Sequence, residues 1–293
     1  MSKEILEQVV ATLRANPIEF TAEPAVVRAG FDAMFAESPR PEGVAYENAA
    51  VGKIEGLWCR PKGAPAGDAL LYLHGGGYVI GNSKAYGGLA GELALAANAN
   101  VFVPDYRLAP EHPYPAGPDD VLAAYLGLMQ LGLSPIAIAG DSAGGGLVMS
   151  LLLNLAAKKL QLPRSAVLWS PWLNLACDSP SFKSKAAVDP SLTTPGLQLC
   201  TQRYVGAAIP KHAIVNPLTA DLRGLPPMLI QVGSVEILLD DATRLATAAG
   251  DADVHTRLDI YPGMPHVFQA FGAMLVEGRR ALQDSAAFIN AYR

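Results

Sequence analysis

From Ile136 to Gly146 the chain reads IAIAGDSAGGG, and no other stretch limits its fold so tightly. Apolar residues run into Gly140-Asp141-Ser142-Ala143-Gly144 and then into LVMSLLLNLAAKKL, a helical pattern. A strand turning through glycines directly into a helix is the form of a nucleophile elbow. A serine hydroxyl is a weak nucleophile, so the chain must hold it exposed on a tight turn, with the backbone N–H of the next residue beside it. The helix beginning at Ala143 also directs its positive dipole end at the point where an oxyanion would form. The pentapeptide alone says little, since a glycine-rich turn can contain it; the strand before it and the helix after it supply the context that the chemistry needs.

Such a turn belongs in a sheet with crossover helices, and 293 residues with 51% hydrophobic content can cover one on both faces. The net charge is −5 and no basic run occurs, which argues against nucleic acid and favours small neutral or apolar ligands. Cys59, Cys177 and Cys200 are far apart and form no Cys-x-x-Cys, so neither a disulfide framework nor a zinc site is expected. The N-terminus, MSKEILEQVVATLRAN, carries charges through an amphipathic pattern and lacks the apolar core of a secretory signal. The longest apolar run, Leu147 to Ala157, is interrupted by Ser150 and Asn154 and is too short for a bilayer. These features predict a soluble, cytoplasmic protein with no membrane span.

Read in order, Lys3 to Asn16 places Ile5, Leu6, Val9, Val10 and Leu13 on one stripe, and Pro17 stops it. A second helix is expected over Ala25 to Glu37, with Val27, Phe31, Met34 and Phe35 on one face, and the Pro39–Gly43 segment detaches both helices from the rest of the chain. They read either as a lid or as a terminal helix pair packed for stability. Two strands are expected between Val44 and Arg60, then strands over Ala69–Leu73, Asn100–Pro104, Ile136–Gly140, Ala166–Ser170, Met228–Val232 and Val254–Tyr261. Helices alternate with them near Lys84–Asn98, Asp119–Leu131, 143–160, Asp241–Ala249 and Leu275–Tyr292. The alternation predicts an α/β protein with a mostly parallel sheet covered on both faces. Residues 178–216 break it with a Ser-, Pro- and Lys-rich stretch too long for a connection. The expected organisation is therefore cap helices over 1–43, a core over 44–177, a cap insertion over 178–216 and the rest of the core over 217–293.

A serine elbow needs a base. In this architecture the partners come in the order serine, acid, histidine, which leaves His255 and His266 of the five histidines. His255 lies within a strand pattern, whereas His266 comes after Pro262-Gly263-Met264-Pro265 in a loop at a strand's carboxyl end, where reacting groups gather in open α/β sheets. The acid belongs after MLIQVG, and Glu236 is the first carboxylate there. Asp240 and Asp241 stand at the start of the next helix, where capping of exposed N–H groups is the expected role. For the oxyanion, His74-Gly75-Gly76-Gly77 lies just past a strand upstream and leaves the backbone open to close approach.

HGGG at His74 to Gly77, DYRLAPEHPYPA at Asp105 to Ala116, GDSAGG at Gly140 to Gly145 and GMPH at Gly263 to His266 together resemble the hormone-sensitive-lipase-like α/β-hydrolases, the bacterial family IV carboxylesterases. The likeness covers nearly the whole chain in the right order. It implies an α/β-hydrolase fold with a helical cap, Ser142 as nucleophile, His266 as general base and acid, and the N–H groups of Gly76, Gly77 and Ala143 as oxyanion hole. It further implies that His74 and Gly75 shape the glycine loop, and that Asp105, Tyr106, Arg107, Glu111 and Asp141 are supports around it. The family usually carries Asp-Pro-Leu-Arg-Asp-Glu at the acid, where this chain has Glu236-Ile237-Leu238-Leu239-Asp240-Asp241. Glu thus stands for Asp, with the trailing acids keeping the register.

The resulting expectation is a cofactor-independent carboxylesterase that holds no metal and cleaves short to medium acyl esters through an acyl-enzyme. An amidase or deacetylase would use the same apparatus. A small-molecule receptor would use the same fold without a working histidine, as the plant gibberellin receptors that look like this family do. Phe31, Phe35, Tyr78, Trp172, Tyr204 and Leu199 are candidates for an acyl pocket or for plain core packing. The family likeness also implies a homodimer formed through a sheet edge.

Overall fold

A computed structural model describes residues 3–36, 39–206 and 216–293. The eight strands are β1 (Val44–Val51), β2 (Ile54–Pro61), β3 (Asp68–Leu73), β4 (Asn100–Pro104), β5 (Ser134–Asp141), β6 (Ala166–Trp169), β7 (Met228–Gly233) and β8 (Thr256–Tyr261). They form one sheet in the order β1-β2-β4-β3-β5-β6-β7-β8. The pairs β1–β2 and β2–β4 are antiparallel and every pair from β4 to β8 is parallel. The helices are α1 (Lys3–Ala15), α2 (Pro24–Ala36), α3 (Gly87–Ala97), α4 (Ala116–Gln130), α5 (Ala143–Ala157), α6 (Pro180–Ser184), α7 (Thr194–Val205), α8 (Leu239–Asp251) and α9 (Val276–Ala291).

The two-residue period of a strand assigns its side chains to opposite faces. In β3, Leu70 and Tyr72 pack with Leu93 of α3 and Ile289 of α9. Ala69, Leu71 and Leu73 face a second core on the other side, one that also takes in Ala124 of α4, Leu152 of α5 and Leu245 of α8. Both faces of the central strands are thus dry, which explains their continuous apolar runs.

After β3 the chain crosses to β4 on one side and returns to β5 on the other, so the loops leaving β3 and β5 diverge from adjacent strands. That switch point sets the glycine loop beside the serine turn, with Leu73 in register with Gly140. The approach leaves no room for side chains. A Cβ on Gly144 would overlap the carbonyl oxygens of Leu73 and His74, both backbone atoms that cannot rotate away. Gly144→Ala is therefore expected to lower stability by about 1–3 kcal/mol and to displace the elbow. Thermal melting together with ester hydrolysis checks this: a melting temperature and activity equal to wild type would count against it.

Helix α4 begins at Ala116, ahead of the expected Asp119. Pro118 stands in the first turn, where its missing N–H is not needed. Glu37, expected to end the second helix, lies outside the described residues, as do residues 207–215 of the polar stretch. Within that stretch α7 runs for 12 residues, started by Thr193 Oγ1 accepting the Gly196 N–H. Among the described residues no helix is long and apolar enough to cross a membrane.

Candidate active site

Ser142 has φ 52° and ψ −120°, a conformation that non-glycine residues rarely adopt and that marks an enforced turn. Its N–H donates to Trp169 O and its carbonyl accepts from Trp172 N–H, each at 2.9 Å, so the turn is braced by the end of β6. Ala143 opens α5 immediately after it.

His266 and Glu236 arrive from the ends of β8 and β7. His266 Nδ1 stands 2.7 Å from Glu236 Oε2, and the glutamate is fully buried. The other oxygen, Oε1, accepts from Ser170 Oγ at 2.8 Å and from the Gly233 N–H at 2.7 Å. A carboxylate can only accept, so Nδ1 carries the proton and Nε2 is left with a lone pair. Burial disfavours a charged imidazole, but the charge and hydrogen bond of Glu236, with Asp189 and Asp141 farther out, outweigh it and hold His266 above its ordinary value. His266 and Ser142 line one cavity. The hydrogen bond closed among the three is His266–Glu236, and Ser142 shares the cavity wall with the imidazole. His255, the sequence competitor, is exposed and contacts the Tyr292 hydroxyl instead.

Ser170 escaped the sequence reading. Its hydroxyl donates to Glu236 and accepts from the Val267 N–H at 3.2 Å, fastening the acid to the residue after the histidine. Its place just past β6, at the carboxyl edge of the sheet, was the available signal. Asp240 and Asp241 do not cap their own helix as expected. Asp240 accepts from the Ser181 N–H, and buried Asp241 accepts from the N–H groups of Leu173 and Asn174 at 2.7 and 2.8 Å.

In the glycine loop, Gly76 and Gly77 take φ of 109° and 63° and line the cavity beside Ser142. A Cβ on Gly76 would overlap Ile80 O. Asp141 Oδ1 accepts from the Gly75 N–H at 3.1 Å and from Tyr72 at 2.7 Å, tying the loop to the residue before the serine. Burial pushes the Asp141 carboxyl up to about 6, against the pull of Tyr72, His266, Tyr86 and Gly75. His74 is buried and stacks on Tyr106 at 4.3 Å; Nδ1 donates to Gly75 O, and desolvation pulls its pKa down to about 4, so the ring is neutral. Tyr106 donates to His74 O at 2.7 Å.

The other expected supports act at one remove. Asp105 holds the N–H and hydroxyl of Ser83, beyond the glycines. Arg107 does not reach the loop; it forms a two-pronged pair with Asp120 of α4. Glu111 pairs with Arg28 of α2, whose guanidinium also donates to Val79 O and Ala109 O. Arg28 therefore clamps an N-terminal helix onto the segment after the glycine loop.

The cavity has a volume of about 740 Å³. Phe31 and Phe35 line it with Phe20, Leu192, Leu197 and Phe271. Of the residues left open between pocket and core, Tyr78, Trp172 and Tyr204 lie off this wall and pack in the core. Tyr78 stacks on Tyr204 at 3.9 Å and meets Trp172 at a tilt, 5.5 Å between ring centres, in an aromatic cluster beside α5. The α7 residue on the cavity wall is Leu197, not Leu199.

The family model for the alpha/beta hydrolase fold matches residues 70–270. An acetyl-hydrolase of Streptomyces hygroscopicus is 41% identical over 241 residues, covering 82% of this chain and 80% of that protein. The crystal structure of an esterase from the bacterial hormone-sensitive lipase family superposes with a TM-score of 0.94 at 36% identity, covering 100% of this chain and 99% of that one. That of EstE5, soaked with p-nitrophenyl butyrate, gives 0.94 at 37% identity and 99% coverage of both. With likeness at this level from end to end, the chain belongs to the alpha/beta hydrolase fold family and, within it, to the hormone-sensitive-lipase-like esterases.

Proposed function

We propose that Ser142, His266 and Glu236 hydrolyse neutral carboxylic esters of short to medium acyl chains by two-step acyl transfer. The reading is carried by one observation: His266 is bonded through Nδ1 to a buried carboxylate and faces the cavity that Ser142 also lines. Ser142 Oγ attacks the ester carbonyl while His266 Nε2 takes its proton. The same proton passes to the departing alkoxide, leaving an acyl-serine, and His266 then deprotonates the water that releases the acid. Charge on the carbonyl oxygen is taken up by the N–H groups of Gly76, Gly77 and Ala143.

Among the described residues the cavity wall carries Glu92 and Asp141 but no Lys or Arg, which supports an uncharged substrate over a carboxylate-bearing one. The relative termed an acetyl-hydrolase and the EstE5 structure soaked with a butyrate ester support short acyl groups. Cap roles for residues 1–43 and 178–216 are supported by Leu13, Phe31, Ser191 and Leu197 on the cavity wall. All three cysteines are free and buried, which fits a reducing, cytoplasmic setting. Ile260 on edge strand β8 is 44% exposed, which fits a homodimer formed along that edge.

Nitrophenyl esters of increasing chain length, with a matched anilide, test the reading. The expected result is kcat/KM highest for acetate to hexanoate and far lower for the anilide; a profile rising toward palmitate, or equal cleavage of the anilide, would refute it. Because a raised pKa keeps His266 protonated and unable to accept a proton, kcat/KM is also expected to fall as pH drops through a midpoint above 6.5.

A further inference from the structure

Asp189 lies between α6 and α7, in the polar stretch that sequence reading left without chemistry. Its carboxylate makes three backbone contacts. Oδ1 accepts from the N–H groups of Ser191 and Leu192 at 2.8 and 2.9 Å, and Oδ2 accepts from the Ile237 N–H at 2.8 Å. The first two are local to its own turn. The third spans 48 residues and ends on the residue after Glu236. Ser191 and Leu192 line the cavity. One carboxylate thus joins a wall of the substrate cavity to the loop that carries the acid.

A charged group is a costly choice at such a place unless both oxygens and the charge are used. An Asn could satisfy Ser191 and Leu192 with its single oxygen, but its amide would then face the Ile237 N–H, donor against donor. The carboxylate therefore answers the long-range contact. Its charge also acts on His266: the acids that favour the imidazolium are Glu236 after β7, Asp189 before α7 and Asp141 at the end of β5. Burial pushes the Asp189 carboxyl up, while His266 and the three N–H donors pull it back toward the ionised form.

We propose that Asp189 is a positioning residue for the hydrolysis, fixing the Glu236–Ile237 loop, and with it the carboxylate bonded to His266, against the cavity wall. This rests on the Ser142–His266–Glu236 reading. Asp189→Asn and Asp189→Ser, whose hydroxyl can still accept locally, remove the charge and the second acceptor. In folded protein, both are expected to lower kcat about tenfold with KM changed less, and to move the acid limb of kcat/KM down by about half a pH unit, because the imidazolium loses a stabilising charge. Asp241→Asn is the comparison: that buried carboxylate also holds two backbone N–H groups, at Leu173 and Asn174, so its variant should melt lower with the acid limb unmoved. A folded Asp189→Asn or Asp189→Ser enzyme with kcat within twofold of wild type and an unmoved limb would overturn the proposal while the triad stood. Activity surviving in Ser142→Ala would instead remove the reading beneath it.

Discussion

Ser142→Ala is expected to lose on the order of 10⁶ in kcat toward p-nitrophenyl butyrate while keeping the fold and melting temperature of the parent. The substitution deletes one oxygen from a residue only 6% exposed, and the hydrogen bonds that brace the turn are made by the backbone of 142, which alanine keeps. Nothing nearby replaces the nucleophile. Cys200 borders the glycine loop at Gly77, but burial pushes its thiol up to about 12, so no useful thiolate exists at neutral pH. Residual hydrolysis should be water attack assisted by the oxyanion donors, still above the uncatalysed rate. Labelling with a serine-directed sulfonyl fluoride gives a second readout. One adduct by mass on the parent and none on Ser142→Ala is the expected pattern; labelling or turnover persisting in the variant would defeat the assignment.

The elbow was legible because its causes are local. Strand, glycines and helix succeed one another directly, and a Cβ at Gly144 is forbidden by the adjacent strand's backbone. The pairing of Glu236 with His266 was legible by order and by their position after apolar strands. What could not be read were pairings between distant segments. Ser170 and Asp189 are ordinary loop polar residues in sequence, and each acquires its role from a partner many positions away. Asp241 looked like a helix cap because acids at a helix start usually are, yet burial beside residues 173 and 174 gave it other donors to serve. The choice between pocket and core that the aromatics left open has the same root. Tyr78 comes directly after the glycine loop, but its φ of 63° turns it toward Tyr204 and away from the cavity. Periodicity says nothing about that turn.

Glu236→Gln should cost on the order of 10⁴ in kcat, because it changes which imidazole nitrogen holds the proton. The wild-type carboxylate accepts three hydrogen bonds: two on Oε1, from Ser170 and Gly233, and one on Oε2, from His266. A glutamine has one acceptor oxygen, and two donors already compete for it on the Ser170 side. Its amide is thereby turned toward His266 Nδ1 and donates where the imidazole formerly donated. The proton moves to Nε2, and the atom facing the cavity can no longer accept from Ser142. Glu236→Asp keeps the charge but shortens the reach by one methylene, so a smaller loss is expected, with the wild-type tautomer retained. The pH profile separates these effects. Removing the nearest charge lets His266 fall toward its ordinary value, so the acid limb in Glu236→Gln should move to lower pH, and farther than in Asp189→Asn, since Glu236 touches the ring and Asp189 does not. A Glu236→Gln enzyme within tenfold of the parent, with its limb in place, would mean that another carboxylate orients His266. The acids to be tested next are half-buried Asp189 and buried Asp141, both of which favour the imidazolium.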